Sequence, residues 1–163
     1  MDRLLELFAG IIEAPTIDLL ERVRECARCA EAVGVPADGL AEFERFVEAT
    51  PPQRLAESYE FARSSIGRQL YGEGYGRSML LLDLQKRYRR NGFQPGDEPA
   101  DNLSVLLRFL SECEDPAERE ELARDVLIPA LESMIKENAF SPSAVFTPLL
   151  RTLSSALREQ VGS

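Results

Sequence analysis

Apolar residues recur along the chain at the three- and four-residue spacing of amphipathic helices. No stretch alternates apolar and polar residues between turn signals, as a half-buried strand would. The pattern therefore predicts an all-α protein. The predicted inward positions are Leu4, Leu7, Phe8 and Ile11; Leu20, Val23, Ala27 and Ala30; Leu40, Phe43 and Val47; Leu55, Tyr59, Ala62 and Ile66; Leu81, Leu84 and Tyr88; Leu103, Leu106, Leu107 and Leu110; and Phe146, Leu149, Leu150, Leu153 and Leu157.

Proline residues mark the predicted helix starts. Thr50-Pro51, Asp115-Pro116 and Ser141-Pro142 each place a capping side chain before a proline at the first helical position. Pro129 falls inside a helical pattern instead, where its missing N–H removes a backbone hydrogen bond. We predict that Pro129 kinks its helix or divides it in two.

Glycine residues mark the predicted helix ends. Gly34 and Gly92 each follow a helical stripe, where a left-handed cap is favoured. The longest predicted irregular segments are residues 67–76 and 92–100. No internal repeat or long linker divides the chain, so the sequence predicts one all-α domain over residues 1–163, a helical bundle of about seven or eight helices.

The charge balance narrows the classes of partner. The chain has 163 residues, with 28 acidic against 19 basic residues and a formal net charge of −9. An acidic surface repels DNA, RNA and anionic membranes, so none of these is the expected main partner. No window has the length of a membrane span, and Asp2 and Glu6 stand where a secretory signal would be basic. We expect a cytoplasmic protein without membrane insertion.

Cysteine and histidine usage argues against redox, metal and most catalytic chemistry. Cys26 and Cys29 lie in a helical pattern with no preceding strand, and Cys113 is a third, unmatched thiol. The chain has no histidine, so neither a zinc site nor an ordinary Ser-His or Cys-His pair is expected. We predict that the cysteines are small helix residues and that the protein is not an enzyme.

The stretch IGRQLYGEGYGRS is the most glycine-dense part of the chain. Gly67 and Gly72 have the spacing of a phosphate-binding loop, but that loop needs Lys and then Ser or Thr next. Glu73 and Gly74 stand there, and a carboxylate would repel phosphate. A dinucleotide-binding pattern fails too, because the glycines up to Gly76 have the wrong spacing and follow no predicted strand. We predict a flexible or sharply turning connection between two helices.

Two segments depart from the average charge. Residues 86–90 are basic around Tyr88, which either stacks on a nucleic-acid base or, as we favour, points inward from a helix with a basic C-terminal end. Residues 112–137 contain nine acidic and three basic residues. This acidic run is either a solvated helix surface or a surface that steers a basic peptide.

Four segments between residues 55 and 153 form an ordered pattern: LAESYEFARSS, GRSMLLLDLQKRYRRNGF, EPADNLSVLLRFLSE and SPSAVFTPLLRTL. In this order they resemble the NarJ family, the nitrate reductase delta-subunit chaperones within the TorD-like molybdoenzyme maturation proteins. The joint order carries the resemblance, since each short pattern alone is weakly specific. The matching residues are Leu55, Glu57 and Tyr59; Gly76, Met79, Tyr88 and Gly92; Asp101, Leu103, Leu107, Phe109 and Leu110; and Ser141, Pro142 and Phe146.

The chain departs from the family pattern at three places. Ala62-Arg63-Ser64 stands where the family commonly has Thr-Phe-Asp, and Ala100-Asp101-Asn102 replaces Pro-Asp-His. The family's longer histidine-containing segment before Gly76 is reduced to the glycine-dense stretch. These differences bear on the identity of the client more than on the fold.

The resemblance implies an all-helical cytoplasmic chaperone with a TorD-like fold and no stably bound cofactor. Such proteins bind the N-terminal peptide of a molybdoenzyme catalytic subunit and assist insertion of bis-molybdopterin guanine dinucleotide into that client. They also delay membrane attachment or export until assembly is complete. A monomer or a domain-swapped dimer is expected. The predicted peptide-binding residues are Glu57, Tyr59, Tyr71, Met79, Asp101, Asn102, Leu103 and Leu106.

Two other functions are also compatible with the sequence. One is a small helical nucleotide-binding protein or enzyme that uses residues 67–78. The other is a permanent accessory subunit, which would stay with the mature molybdoenzyme instead of leaving it. A peptide chaperone needs only apolar anchors and a charged rim, which agrees with the lack of catalytic groups.

Overall fold

The computed structural model describes residues 1–59, 65–138 and 142–161. A π-helical turn, Ala123–Leu127, joins α8 to α9, and a 3-10 turn, Pro142–Phe146, precedes α10. These ranges contain no strand, only a single β-bridge between Ser65 and Asn102. The helices are α1 Asp2–Glu13, α2 Leu19–Ala32, α3 Asp38–Ala49, α4 Pro52–Ser58, α5 Ile66–Tyr71, α6 Tyr75–Arg90, α7 Leu103–Glu112, α8 Pro116–Leu122, α9 Ile128–Asn138 and α10 Thr147–Val161.

The all-α prediction is confirmed. When α8, the π-turn and α9 are counted as one continuous helix, the described ranges contain nine helices, slightly more than predicted. Helix α7 is the most enclosed, with seven of its ten residues buried. Helix α1 packs along α7, and α2, α3 and α10 complete the surrounding layer.

The predicted apolar stripes form the core of this bundle. The inward positions predicted for α1, α3, α7 and the segment entering α10 are all buried. Helix α2 buries Val23 and Ala30 and leaves Leu20 and Ala27 half-buried. Each fully buried Leu or Phe side chain contributes about 1.5–3 kcal/mol to folding, so these stripes dominate the stability of the fold.

One predicted helix is two helices in the structure. Leu55 is buried in α4 as expected, but α4 ends at Ser58 and Ile66 begins α5. The Ser65 side chain caps α5 by accepting the Arg68 backbone N–H at 3.2 Å. The prediction of one continuous face from Leu55 to Ile66 is therefore wrong, and Ala62 lies outside the described residues.

The proline pairs give mixed outcomes. Asp115 caps α8 as predicted, because its side chain accepts the Ala117 backbone N–H at 3.0 Å. The start predicted at Thr50-Pro51 is wrong by one residue: α4 begins at Pro52, and the Thr50 hydroxyl donates to the Phe46 carbonyl at the end of α3. Ser141 lies outside the described residues.

Pro129 coincides with the break in the long helix from α8 to α9. The Ile128 backbone N–H donates to Ala123, five residues earlier, and this π-turn inserts an extra residue just before the proline. The wider turn accommodates a residue without an N–H, so the regular α-helical bonding is interrupted beside Pro129, but the chain continues as one helix and is not divided into two separate ones. Gly34 and Gly92 have φ values of 81° and 67°, which confirms the predicted left-handed caps.

The two segments predicted to be irregular differ. Residues 92–100 contain no helix, as expected. The prediction for residues 67–76 is only partly correct, because α5 extends to Tyr71 and α6 begins at Tyr75. The connection is thus reduced to three residues, in which Gly72 and Gly74 have φ values of 68° and 127°.

Within the described ranges, no helix combines the length and the apolar character needed to cross a bilayer.

Candidate functional site

Exposed apolar side chains are concentrated on α5 and α6. Six large apolar side chains are exposed in the described ranges, and four of them belong to these two helices. Tyr71, Tyr75, Met79 and Leu82 are 54%, 81%, 47% and 52% exposed. A contiguous apolar patch on a soluble surface commonly marks a binding site.

A groove of about 460 Å³ runs beside this patch, between α6 and the helix formed by α8 and the π-turn. Its buried members Leu80, Leu122 and Val126 give it an apolar floor. We call it the α6/α8 groove. Its lining residues are Tyr71, Tyr75, Gly76, Met79, Leu80, Asp83, Arg87, Glu121, Leu122, Asp125 and Val126.

The rim of the α6/α8 groove is acidic. Asp83, Glu121 and Asp125 have side chains that are 51%, 52% and 55% exposed, against one lining cation, Arg87. Arg87 bonds Asp83 and Glu121, each at 2.9 Å, and Arg124 bonds Asp125 at 3.0 Å, so much of this charge is compensated and a small acidic excess remains. The groove suits an apolar segment that carries positive charge.

The glycine at position 76, in the first turn of α6, sets the position of the apolar wall. A side chain at Gly76 would place its Cβ 2.7 Å from the Tyr71 Cβ, closer than two such atoms can lie. The Tyr71 ring therefore packs over the backbone of α6 only because residue 76 is glycine. The glycine-dense stretch thus turns the chain sharply and brings Tyr71 against the helix that carries Met79.

A buried carboxylate fixes this helix pair to the rest of the molecule. Asp101 is fully buried and accepts hydrogen bonds from the Ser65 hydroxyl, the Gly67 N–H at 3.1 Å and Arg77 Nε at 3.2 Å. Its backbone carbonyl accepts the Ile66 N–H at 3.0 Å. Asp101, two residues before α7, thereby holds the first turn of α5 and the first turn of α6.

The other end of the groove is held by a second network. Glu118 is buried and accepts hydrogen bonds from Arg87 at 3.0 Å, Asn91 at 3.1 Å and Arg90. Burial alone would raise the pKa of the Glu118 carboxyl, but the hydrogen bonds from Asn91, Arg90 and Arg87 outweigh it and the pKa is lowered. This network joins α6 to α8 and so fixes the distance between the groove walls.

The Glu118 network makes stability dependent on pH. Because the folded-state pKa of Glu118 is lowered, its contribution is complete above the ordinary glutamate pKa and is lost as the pH falls through the folded-state value. We expect Glu118→Gln to lower the free energy of unfolding by about 1–3 kcal/mol at neutral pH. The difference from wild type should shrink below about pH 4.5. Urea denaturation across this pH range measures it.

Glu114→Gln is the matched control. Glu114 is exposed in the segment before α8 and forms no ion pair with any residue in the described ranges. Its replacement should change stability by less than about 0.5 kcal/mol at any pH. A Glu118→Gln deficit that persisted unchanged into strong acid would contradict the assignment to the ionised carboxylate.

The structure brings together only some of the predicted site residues. Tyr71 and Met79 both line the α6/α8 groove. Tyr59 and Asn102 line a different depression of about 320 Å³ between the end of α1, α4 and the start of α7. The Tyr59 hydroxyl donates to the Ile11 carbonyl at 2.7 Å, and burial raises the pKa of this phenol. Asn102 caps α7 by accepting the Val105 N–H at 3.3 Å.

The remaining predicted residues do not line a groove. Leu103 and Leu106 are core residues with at most 1% exposure, so we no longer assign them direct contact with a peptide. Asp101 is fully buried in its own network, which gives it a positioning role in place of the predicted contact. Glu57 is exposed on α4, outside the α6/α8 groove.

Sequence reasoning missed part of the groove. Tyr75, the most exposed tyrosine of the patch, lay inside the segment predicted to be a loop. Its four-residue spacing from Met79 is the signal that would have identified it. Glu121 and Asp125 were noticed only as members of the acidic run, since nothing local indicates that α8 lies beside α6.

A second apolar groove lies on another part of the surface. It measures about 690 Å³ and is bounded by the α1–α2 connection, the end of α3 and α4. Ile17 lies on its edge and is fully exposed. We call it the Ile17 groove, and it includes none of the predicted site residues.

The three thiols lie in α2 or directly after α7. Cys26, Cys29 and Cys113 are free, and burial raises the pKa of Cys26. Within the part of the chain that the structure describes, no group of three or more potential ligand residues is placed to hold a metal ion.

Comparison with known proteins gives no relative on which to base a function. No protein-family model matches the chain, and a search of curated proteins gives no match. The resemblance described above therefore depends on the four ordered segments alone.

Proposed function

We propose that the protein is a cytoplasmic chaperone that binds the N-terminal peptide of a molybdoenzyme catalytic subunit, of a nitrate reductase or a related enzyme. In this proposal it holds the client open while bis-molybdopterin guanine dinucleotide is inserted. The cofactor belongs to the client, and the chaperone contributes a binding surface without catalytic groups. The ordered NarJ-like segments suggest the class of client, and the α6/α8 groove supplies a surface suited to a peptide.

The single observation that supports the proposal most is the exposed apolar wall of the α6/α8 groove. Tyr71, Tyr75 and Met79 present two amphipathic rings and a flexible thioether beside an apolar floor. Aromatic and methionine side chains are typical of surfaces that accept helical peptides, because rings give large contact area and Met adapts its shape.

The acidic rim of the α6/α8 groove favours peptides that carry positive charge. Glu121 and Asp125 face the apolar wall from across the groove. A peptide helix with apolar residues on one face and lysine or arginine beside them would place cations near these carboxylates. Such charge complementarity chiefly raises the association rate and rejects acidic segments.

Isothermal titration calorimetry with a synthetic client peptide tests the proposal. The probe is the first twenty or so residues of the molybdoenzyme catalytic subunit encoded in the same genome, a length that would span about 30 Å as a helix. We expect saturable binding with one site per chain and weaker binding as salt is raised. A scrambled peptide of the same composition is the control and should bind at least about tenfold more weakly.

The two alternative functions, a nucleotide-binding protein and a permanent accessory subunit, predict different experimental outcomes. Binding of adenine or guanine nucleotides without peptide binding would favour a nucleotide-binding protein. Stable co-purification with the mature, cofactor-loaded enzyme would favour a permanent subunit. Equal heats from the native and scrambled peptides would contradict recognition of a client sequence.

A further inference from the structure

The outer face of α6 carries a regular stripe. Tyr75, Met79, Leu82, Lys86 and Arg89 are all exposed and follow one another at intervals of four, three, four and three residues. This alternation is the spacing of the a and d positions of a coiled coil, which lie on one side of a helix. At about 1.5 Å per residue the stripe is about 21 Å long. We call it the α6 seam.

The two halves of the α6 seam differ in chemistry. The first half is apolar, and the second half ends in Lys86 and Arg89. Neither cation has a side-chain hydrogen bond or ion pair within the described ranges, whereas Arg87 and Arg90 on the same helix bind Glu118 of α8. The seam therefore presents an apolar segment and two uncompensated charges, all directed away from the bundle.

We propose that the α6 seam pairs with the α6 seam of a second copy of this chain, with the two helices antiparallel. In such a pair each a position of one helix faces a d position of the other. We place the centre of the pair between Met79 and Leu82, so two residues face each other when their numbers add up to 161. Met79 then packs against Leu82 of the second copy, and Leu82 against its Met79. Tyr75 faces Lys86 of the second copy at both ends of this apolar centre.

The charges select the antiparallel arrangement. A parallel pair would place Lys86 against Lys86 and Arg89 against Arg89, and like charges at these positions repel. In the antiparallel pair each Lys86 ammonium meets a Tyr75 ring, a favourable cation–π contact.

The length of the seam sets the strength of the contact. Two heptads form a smaller surface than the roughly 1,200–2,000 Å² buried in stable complexes, so the dimer is weak and depends on concentration.

Tyr75 and Met79 belong to both the seam and the α6/α8 groove. A second copy and a groove ligand therefore compete, although the pairing itself does not rest on the proposed function.

Sedimentation equilibrium of the full chain, from low micromolar to near-millimolar concentration, tests the pairing. We expect a reversible monomer–dimer equilibrium. Leu82→Asp should weaken it at least about tenfold, because a carboxylate would enter the apolar centre. Ile17→Asp, at a still more exposed position outside the seam, should leave the dissociation constant unchanged. Circular dichroism checks that each variant keeps its helix content.

A double-mutant cycle tests the register. Tyr75→Ala and Lys86→Ala should each weaken the dimer about threefold to tenfold, and the two together should weaken it by clearly less than the product of the single effects, because they remove the same contact. A monomer at every concentration, or a dimer unaffected by Leu82→Asp, would overturn the pairing. Effects of Tyr75→Ala and Lys86→Ala that simply multiply would overturn the antiparallel register. Leu82 does not line the groove, so a dimer that responds as expected while the client peptide fails to bind would refute only the proposed function.

Discussion

Asp101→Ala is expected to lower the free energy of unfolding by about 3–5 kcal/mol, because it removes the acceptor of a buried ion pair. The Arg77 side chain is only 24% exposed and would remain without its carboxylate. The Ser65 hydroxyl and the Gly67 N–H would lose their acceptor at the same time. Chemical denaturation monitored by circular dichroism measures the loss.

Two further variants separate the network from the loop that contains it. Asp97→Ala removes an exposed carboxylate four residues earlier and should change stability by less than about 0.5 kcal/mol. Asp101→Asn keeps the shape and one acceptor oxygen, so its loss should be intermediate. Equal stability of the Asp101→Ala and Asp97→Ala proteins would show that the buried network does not support the fold.

The second large expected effect is on peptide binding to the α6/α8 groove. Replacing Tyr75 and Met79 together with alanine is expected to weaken client-peptide binding about 100-fold, or about 2.7 kcal/mol, because the double change removes most of the exposed apolar wall. Both side chains are exposed, so the free energy of unfolding should change by less than about 1 kcal/mol. Fluorescence anisotropy of a labelled client peptide measures the affinity.

Ile17→Ala is the matched control for the groove variant. Ile17 is the most exposed large apolar residue in the described ranges and lies at the Ile17 groove. Its replacement should leave the peptide affinity within about twofold of wild type. If Ile17→Ala weakened binding and the double variant did not, the peptide site would belong to the Ile17 groove.

The sequence predicts correctly those helices whose regularly spaced apolar residues are also the residues that the structure buries. The stripes of α1, α3, α7 and α10 depend only on the spacing of apolar residues, and all of their members are buried. Helix α5 was missed because glycine has a low helix propensity, and Gly67 lies inside this short helix while Gly72 directly follows it. Its first turn is stabilised by Ser65 and by the distant Asp101, a contact that spacing along the chain does not reveal.

The candidate site was predicted less completely for the same reason. Asp101 was expected to contact a peptide, but its partner Arg77 lies 24 residues away in the sequence. Leu103 and Leu106 had been predicted both as inward positions of α7 and as peptide contacts, and the structure satisfies the first role. Tyr71 and Met79 remain in the site because glycine at position 76 lets the Tyr71 ring lie against α6.

The α6 seam carries positive charge and the rim of the α6/α8 groove carries negative charge, and this difference affects where a charged peptide binds. Lys86 and Arg89 lie on the outer face, whereas Glu121 and Asp125 lie across the groove. A basic peptide is attracted to the groove side, and the cations of the seam repel it from the outer face. The net charge of −9 therefore does not describe this surface, which has one region of each sign.

Photo-crosslinking from the groove tests the central claim most directly. The residue p-benzoylphenylalanine is introduced in separate proteins at Met79 and at Ile17, and each protein is irradiated with the client peptide. We predict a crosslink from position 79 to the apolar face of the peptide, identified by mass spectrometry, and none from position 17. Crosslinking from position 17 with none from position 79 would contradict the assignment of the α6/α8 groove as the peptide-binding site.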